Sequence, residues 1–201
     1  GVCADINNVE YRQVNLEADF SLNAEKVLAA ADKNTKVIFL CSPNNPTGNL
    51  LNTTEIEKIL KGFDGIVVID EAYIDFSDKA SWISKLNKYP QMVILQTFSK
   101  AWGLAAARCG MAFASEEIIS FFNKVKYPYN INILTQKLIL EKLEQVEIKN
   151  NWVKEILSQR AFMIEELKQL SIVEHIYPSD ANFILVKVDD ANLRYKQLVE
   201  K

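Results

Sequence analysis

Short runs of consecutive apolar residues alternate with amphipathic segments over the first two thirds of the chain. Four of these runs are continuous and rich in β-branched side chains: residues 37–41, 66–70, 92–96 and 109–113. Such runs are typical of strands that are buried on both faces, and these strands occur mainly in parallel sheets. The sequence therefore predicts a largely parallel sheet.

The segments between these runs have helical periodicity. We expect a helix over residues 21–32 that begins at Ser21, a second over 54–61 that follows a cap at Asn52 or Thr53, and a shorter one over 81–88. Strand and helix in repeated alternation indicate an α/β fold. We predict a three-layer sandwich with a mainly parallel sheet.

The pattern changes after the turn-forming segment Tyr127-Pro-Tyr-Asn130. Two long helical patterns follow, over residues 133–148 and 152–169. Two strand-like runs come next, over 173–177 and 183–188, and a helix opens near Asp190. This order predicts a connecting helix that leads into a small α+β domain.

We therefore expect a large domain over residues 1–148 and, over residues 149–201, the connecting helix with the start of a small C-terminal domain. The chain begins with Gly1 close to a strand-like segment at 11–15, and it stops inside a helical pattern. These features lead us to expect a fragment of a longer protein, with the large domain incomplete at its N-terminus and the small one truncated.

Composition and charge narrow the class of protein. The 201 residues are 49% hydrophobic and 24% charged, with a formal net charge of −3 and no long run of one sign. Nothing in this balance favours a nucleic-acid or membrane partner. Three cysteines lie far apart, and His175 is the single histidine. We expect reduced thiols, a cytoplasmic protein and no metal site. The cysteines are Cys3, Cys41 and Cys109.

Polar residues follow three of the predicted strands, at the carboxyl ends where open parallel sheets bind ligands. Ser42-Pro-Asn-Asn-Pro-Thr-Gly48 follows the first strand. By itself it is a rigid turn, and in a site it would aim the amide of Asn45 at a ligand oxygen. Asp70-Glu-Ala-Tyr73 ends the second strand. Here a P-loop ATPase is an alternative, although the chain contains no matching G-x-x-x-x-G-K-[ST] loop.

The third strand leads into Thr97-Phe-Ser-Lys100-Ala-Trp-Gly103, and Arg108 follows. Lys100 taken alone is an ordinary surface lysine at a strand end. Small hydroxyls, a lysine and an arginine in one short segment also suit an anion, because Arg binds phosphate through two parallel hydrogen bonds. This segment predicts a phosphate site.

Pyridoxal phosphate (PLP) is the ligand that needs all of these groups together. Its aldehyde forms a Schiff base with a lysine, and its protonated pyridine nitrogen is held by a carboxylate. Its phenolic oxygen accepts hydrogen bonds from groups such as Asn and Tyr side chains, and its phosphate binds hydroxyls and Arg. The sequence therefore predicts a PLP site at this end of the sheet.

The same motifs, in order and spacing, resemble the class I and II aminotransferases of PLP fold type I, and within them the histidinol-phosphate aminotransferases. Ala4-Asp-Ile-Asn-Asn-Val-Glu10, Ile69-Asp-Glu-Ala-Tyr-Ile-Asp-Phe76 and Leu104-Ala-Ala-Ala-Arg-Cys-Gly110 carry the resemblance further, over nearly the whole chain. The segment Ser179-Asp-Ala-Asn-Phe183 is also shared with the family, but we assign Asn182 no chemistry.

The resemblance implies a role for each site residue. Lys100 would form the Schiff base and move the substrate proton, and Asp70 would pair with the pyridine nitrogen. Asn45 and Tyr73 would hold the phenolic oxygen. The remaining residues would bind the phosphate: Thr97, Ser99 and Arg108.

The implied reaction transfers an amino group between a small-molecule donor and a 2-oxo acid, here histidinol phosphate and 2-oxoglutarate, in a homodimer. A threonine-phosphate decarboxylase and a PLP-binding regulator remain alternatives of the same fold. Family members also have an upstream phosphate-binding turn, an aromatic that stacks on the ring and a C-terminal arginine for the substrate. These are not in the 201 residues, so we expect the chain alone to be inactive.

Overall fold

The structure is a computed structural model that describes residues 1–200. Within them the helices are α1 Val2–Ile6, α2 Ala24–Ala30, α3 Thr53–Gly62, α4 Glu116–Val125, α5 Ile133–Leu143, α6 Val146–Lys168 and α7 Ala191–Val199. The strands are β1 Val37–Cys41, β2 Ile66–Asp70, β3 Met92–Thr97, β4 Gly110–Phe113, β5 Val173–Ile176 and β6 Val186–Val188.

The main sheet has the order β1-β2-β3-β4. The first three strands are parallel, and Ile69 on β2 lies between Leu40 on β1 and Ile94 on β3. The predicted mainly parallel α/β sheet is thus confirmed. Strand β4 is antiparallel to β3, with Thr97 opposite Gly110. The connection over residues 98–109 returns at the same edge of the sheet without a crossover, and only an antiparallel strand can follow such a connection.

The sheet lies between two unequal helical layers. On one face, alternate strand residues such as Val67 and Ile69 pack with Ile56 and Ile59 of α3 in the larger apolar cluster. On the other side, Val153 of α6 joins a smaller cluster of buried residues near the carboxyl ends of the strands: Tyr73, Phe76, Ala101 and Ala181. On edge strand β1, the side chain of Phe39 remains 72% exposed. The second layer therefore covers mainly the end of the sheet where the site is predicted.

Three predicted elements differ from the structure in the first half of the chain. Residues 11–15 form no strand; instead, Arg12 donates to the Ala30 carbonyl at 3.0 Å and pairs with Asp32. Helix α2 begins after Asn23, whose side chain accepts from the Lys26 N–H, and not after Ser21. Residues 82–88 form a 3-10 helix. Local propensity could not distinguish these outcomes. The start of a helix depends on which group accepts its first free N–H, and a strand depends on a neighbouring strand to pair with.

The C-terminal region follows the predicted order with shifted boundaries. The break between the two long helices falls at 144–145, before the predicted break after residue 148. Strands β5 and β6 form a separate antiparallel sheet, and Asp190 caps α7 through the Leu193 N–H. Helix α4 was not predicted. The division into domains 1–148 and 149–201 stays a prediction, with α6 beginning at Val146. Across residues 1–200, none of the helices has the length and apolar character needed to cross a membrane.

Candidate active site

The loop after β1 is closed by its own hydrogen bonds. The N–H of Gly48 donates to the Asn44 carbonyl at 2.7 Å, and the buried Ser42 hydroxyl accepts from the Leu51 N–H at 3.0 Å. Gly48 has φ +82°, and a Cβ there would lie 2.9 Å from the hydroxyl oxygen of Ser179. Both the positive φ and the close neighbour require glycine. The loop that carries Asn45 is therefore fixed on both sides.

Asn45 and Tyr73 are in direct contact. The side-chain amide of Asn45 donates to the phenolic oxygen of Tyr73 at 2.9 Å, across 28 positions of sequence. Tyr73 is 7% exposed, and Phe183 packs edge-on against its ring with 5.2 Å between the centroids. Two residues that the sequence assigned to one ligand oxygen thus lie together in the structure.

Asp70 is the last residue of β2 and lies opposite Cys41 on β1. One of its carboxylate oxygens accepts from the Ala72 N–H at 3.0 Å. Burial raises the pKa of the neighbouring Cys41 thiol, and the Asp70 charge raises it further, against the opposing effect of a hydrogen bond with the Asn45 backbone. A raised pKa keeps that thiol protonated and neutral.

The adjacent acid, Glu71, has a structural role that the sequence did not indicate. It is 1% exposed and accepts from the Ser81 hydroxyl at 2.5 Å, the Trp82 N–H at 2.8 Å and the Gln96 side-chain amide at 2.9 Å. These donors satisfy a buried carboxylate without a cation. Successive residues point to opposite sides of an extended chain, and this alternation could have separated Glu71 from Asp70.

Lys100 lies in a tight turn after β3. The Gly103 N–H donates to the Lys100 carbonyl at 2.9 Å, and the Leu104 N–H donates to the Phe98 carbonyl at 3.0 Å. The ammonium of Lys100 lies 5.2 Å from the centroid of the Tyr73 ring. The structure therefore brings together Asn45, Tyr73 and Lys100 at the strand end that Asp70 also occupies. We call these four residues the ring side.

The remaining predicted residues form what we call the phosphate side: Thr97, Ser99 and Arg108. The Thr97 hydroxyl accepts from the Ser99 N–H at 3.0 Å and lies 3.5 Å from the Cys109 carbonyl oxygen. Arg108 has φ 50°, an uncommon backbone conformation for a residue other than glycine. Its guanidinium donates to the Ala105 carbonyl at 3.0 Å, and not to either hydroxyl. The structure does not bring Arg108 together with the other two side chains.

The shared segment Ser179–Phe183 contacts the loop that carries Asn45 through residues other than Asn182. The Asp180 N–H donates to the Gly48 carbonyl at 2.7 Å, and the Asp180 carboxylate accepts from the Leu50 N–H at 3.0 Å. Asn182 itself is exposed. The segment thus supports the Asn45 loop from the C-terminal region.

The donors of the site fit PLP. A carboxylate, an amide, a phenol and a lysine lie at the carboxyl ends of parallel strands, and these are the kinds of group that the ring substituents of PLP require. The hydroxyls of Thr97 and Ser99, and the guanidinium of Arg108 later in the same loop, are donors of the kind that bind phosphate. Fold and site together define the cofactor-binding domain of a PLP-type α/β enzyme.

Comparison with known proteins gives the family. The model of the family described as aminotransferase class I and II matches residues 2–201. A histidinol-phosphate aminotransferase of Bacteroides thetaiotaomicron is 55% identical over 198 residues, which is 98% of this chain. The chain belongs to the class I and II aminotransferase family, so the alternative of a P-loop ATPase is wrong.

Two solved structures show the same fold. The histidinol-phosphate aminotransferase of Clostridium acetobutylicum superposes with a TM-score of 0.87 at 22% identity over 99% of this chain and 62% of its own. The enzyme of Sinorhizobium meliloti, in complex with pyridoxal-5'-phosphate, gives 0.85 at 22% identity over 98% of this chain and 54% of its own. The chain spans 57% of the length of the Bacteroides relative.

Proposed function

We propose that the protein is a PLP-dependent aminotransferase that moves an amino group between histidinol phosphate and 2-oxoglutarate in histidine biosynthesis. One observation carries the proposal: the ammonium of Lys100 lies over the ring of Tyr73, whose phenol is hydrogen-bonded to Asn45. The name of the Bacteroides relative, at 55% identity, supports the choice of substrate.

Each ring-side residue has a defined task in this proposal. PLP, when bound, supplies an electron-poor ring that stabilises negative charge on the amino-acid carbon. Lys100 holds the cofactor through Nζ and moves the proton at that carbon. The Asp70 carboxylate keeps a proton on the ring nitrogen, because a nearby anion favours the protonated form. Asn45 and Tyr73 orient the ring through its phenolic oxygen.

The phosphate side anchors the cofactor. Thr97 and Ser99 offer hydroxyl donors, and Arg108 offers a charged fork that matches phosphate oxygens. In the structure Arg108 bonds a neighbouring carbonyl, so we propose that its side chain turns toward the phosphate when the cofactor binds. The tight turn that follows β3 keeps both hydroxyls within three residues of Lys100.

We further propose a homodimer in the cytoplasm, with the large domain over 1–148 and the small one beginning after it. A stretch around α4 and α5 supports a second copy as the partner, because many of its large apolar side chains are exposed. They include Phe121, Phe122, Val125, Tyr127, Tyr129, Ile133 and Leu134. Light scattering on the protein at its full natural length should give twice the chain mass; a monomer at micromolar concentration would contradict this part.

Covalent labelling tests the cofactor assignment. The protein at full natural length, loaded with PLP and reduced with borohydride, should carry the pyridoxyl label on the peptide that contains Lys100. Lys100→Ala should lose the label entirely. Lys124→Ala is the matched control, since Lys124 lies on exposed helix α4 and should leave labelling unchanged. A label on Lys124 or Lys126 would contradict the assignment.

The reaction is tested separately from the cofactor. With histidinol phosphate and 2-oxoglutarate, the PLP-loaded protein at full natural length should form glutamate, whereas the 201-residue chain alone should not. Release of carbon dioxide from threonine phosphate would favour the decarboxylase alternative. A labelled protein with neither activity would favour the regulator.

A further inference from the structure

The ammonium of Lys149, in the first turn of α6, contacts two segments at once. It pairs with the Asp75 carboxylate at 2.9 Å. It also lies 5.4 Å from the ring centroid of Trp102. The side chain of Lys149 is 14% exposed and that of Asp75 is 29% exposed, so water screens this pair less than a surface ion pair.

These two segments carry Tyr73 and Lys100 of the ring side. Asp75 follows Tyr73 by two residues, and Trp102 follows Lys100 by two residues. Between them, Tyr73, Phe76 and Ala101 pack in one apolar cluster with Val153 of the same helix. Lys149 is therefore a charged link from α6 to both of these segments, and α6 is also the helix that leads to the small sheet.

We propose that Lys149 is a positioning residue, which holds the Lys100 turn against the Tyr73 segment and balances the charge of Asp75 beside them. The inference rests on the proposed function, because it assigns the Lys149–Asp75 pair a role in positioning Lys100, the residue that would bind the cofactor. Lys149 touches neither substrate nor cofactor and acts through Asp75 and Trp102.

A contribution to folding stability does not by itself explain why the Lys149–Asp75 ion pair is found here. Isolated ion pairs contribute little, and a half-buried pair loses hydration that its attraction only partly returns. The charged groups on the elements around the Lys100 turn are Asp70 at the end of β2, Asp75 two residues after Tyr73, and Lys149 on α6; Arg108 lies later in the same loop as Lys100. Removing one member of the pair leaves the other uncompensated near the site, with opposite electrostatic consequences for the two members.

The experiment follows the pH titration of the PLP absorbance band in the protein at full natural length and low salt. In Lys149→Met an uncompensated carboxylate favours the protonated form, so the midpoint should rise by roughly 0.3–0.5 pH units. In Asp75→Asn an uncompensated ammonium should lower it by a similar amount. The double variant should return toward the starting midpoint, and Lys149→Arg should restore it. Lys168→Met, which loses an exposed pair with Glu165, is the control.

If Lys149 were merely structural, the titration midpoint would move in the same direction in both single variants or would not move in either. Either result overturns the inference. Should Lys149→Met fail to fold, the downward shift in Asp75→Asn and the restoration in Lys149→Arg still decide. If the unaltered protein shows no PLP band, the proposed function fails. An unaltered protein with a band whose midpoint the variants do not move overturns only the role of Lys149.

Discussion

The ring side and the phosphate side of the site are held in different ways. On the ring side, contacts join residues distant in sequence: Asn45 with Tyr73, Tyr73 with Lys100, and the Asn45 loop with Asp180. On the phosphate side the hydrogen bonds are local and span at most 12 positions. The fold therefore fixes the ring-side residues relative to one another, whereas the phosphate-side residues are held by contacts within their own loop.

This difference has a physical reason. The ring side must orient a planar ligand for chemistry, and orientation requires side chains fixed before binding. A phosphate carries enough charge to draw a mobile Arg into place, and a charged hydrogen bond repays the ordering of that side chain. Substitutions on the two sides should consequently differ in kind as well as in size.

The largest effect is expected on the ring side, at Asp70. Asp70→Ala removes the charge that holds the ring proton, and lost electrostatic stabilisation of this kind costs roughly 100- to 1,000-fold in turnover. Steady-state assays on the protein at full natural length should show the loss mainly in kcat, with PLP still bound at saturating concentration. Asp78→Ala, an exposed acid in the same region, is the control. Near-normal turnover in Asp70→Ala would contradict the proposed role of Asp70 at the ring nitrogen.

A smaller effect is expected on the phosphate side. Arg108→Gln loses a charged hydrogen bond worth about 1.5–3 kcal/mol, which weakens PLP binding by about 10- to 150-fold. Pyridoxal without its phosphate should bind the variant and the unaltered protein alike, as measured by spectral titration. Tyr73→Phe is the matched ring-side change and should weaken both ligands equally. If Arg108→Gln weakened the binding of PLP and of pyridoxal equally, Arg108 would not be a phosphate-binding residue.

The smallest effect compares two glycines with positive φ. Gly48, with φ +82°, has Ser179 within 2.9 Å of an added Cβ, whereas Gly103, with φ +66°, has nothing within 4 Å. Alanine at Gly103 should cost about 1 kcal/mol of unfolding free energy from backbone strain alone. Alanine at Gly48 should cost about 1 kcal/mol more, because the Ser179 segment must move. Equal urea unfolding midpoints for the two variants would show that the Ser179 segment moves without a measurable loss of stability.

The sequence allowed much of this to be predicted for one reason: strand ends in a parallel sheet meet at one edge. The runs predicted to end at Cys41, Asp70 and Gln96 each became a parallel strand of the sheet. Every predicted ring-side residue lies at the end of one of these strands or in the loop that follows it. Prediction failed where an outcome depended on a partner distant in sequence. Residues 11–15 found no strand to pair with, and the run at 109–113 paired in the antiparallel direction.

By itself, then, the sequence determined the α/β class, the mainly parallel sheet, the family and the set of polar residues at its carboxyl edge. These follow from local patterns of apolar residues and from motifs of a few residues each. Only the tertiary structure decided that Asn45 bonds Tyr73, that Glu71 is satisfied inside the core and that Lys149 bridges Asp75 and Trp102. Such contacts join residues up to 74 positions apart. No local pattern encodes them, because they arise only when the packing of α6 and the sheet brings the segments together.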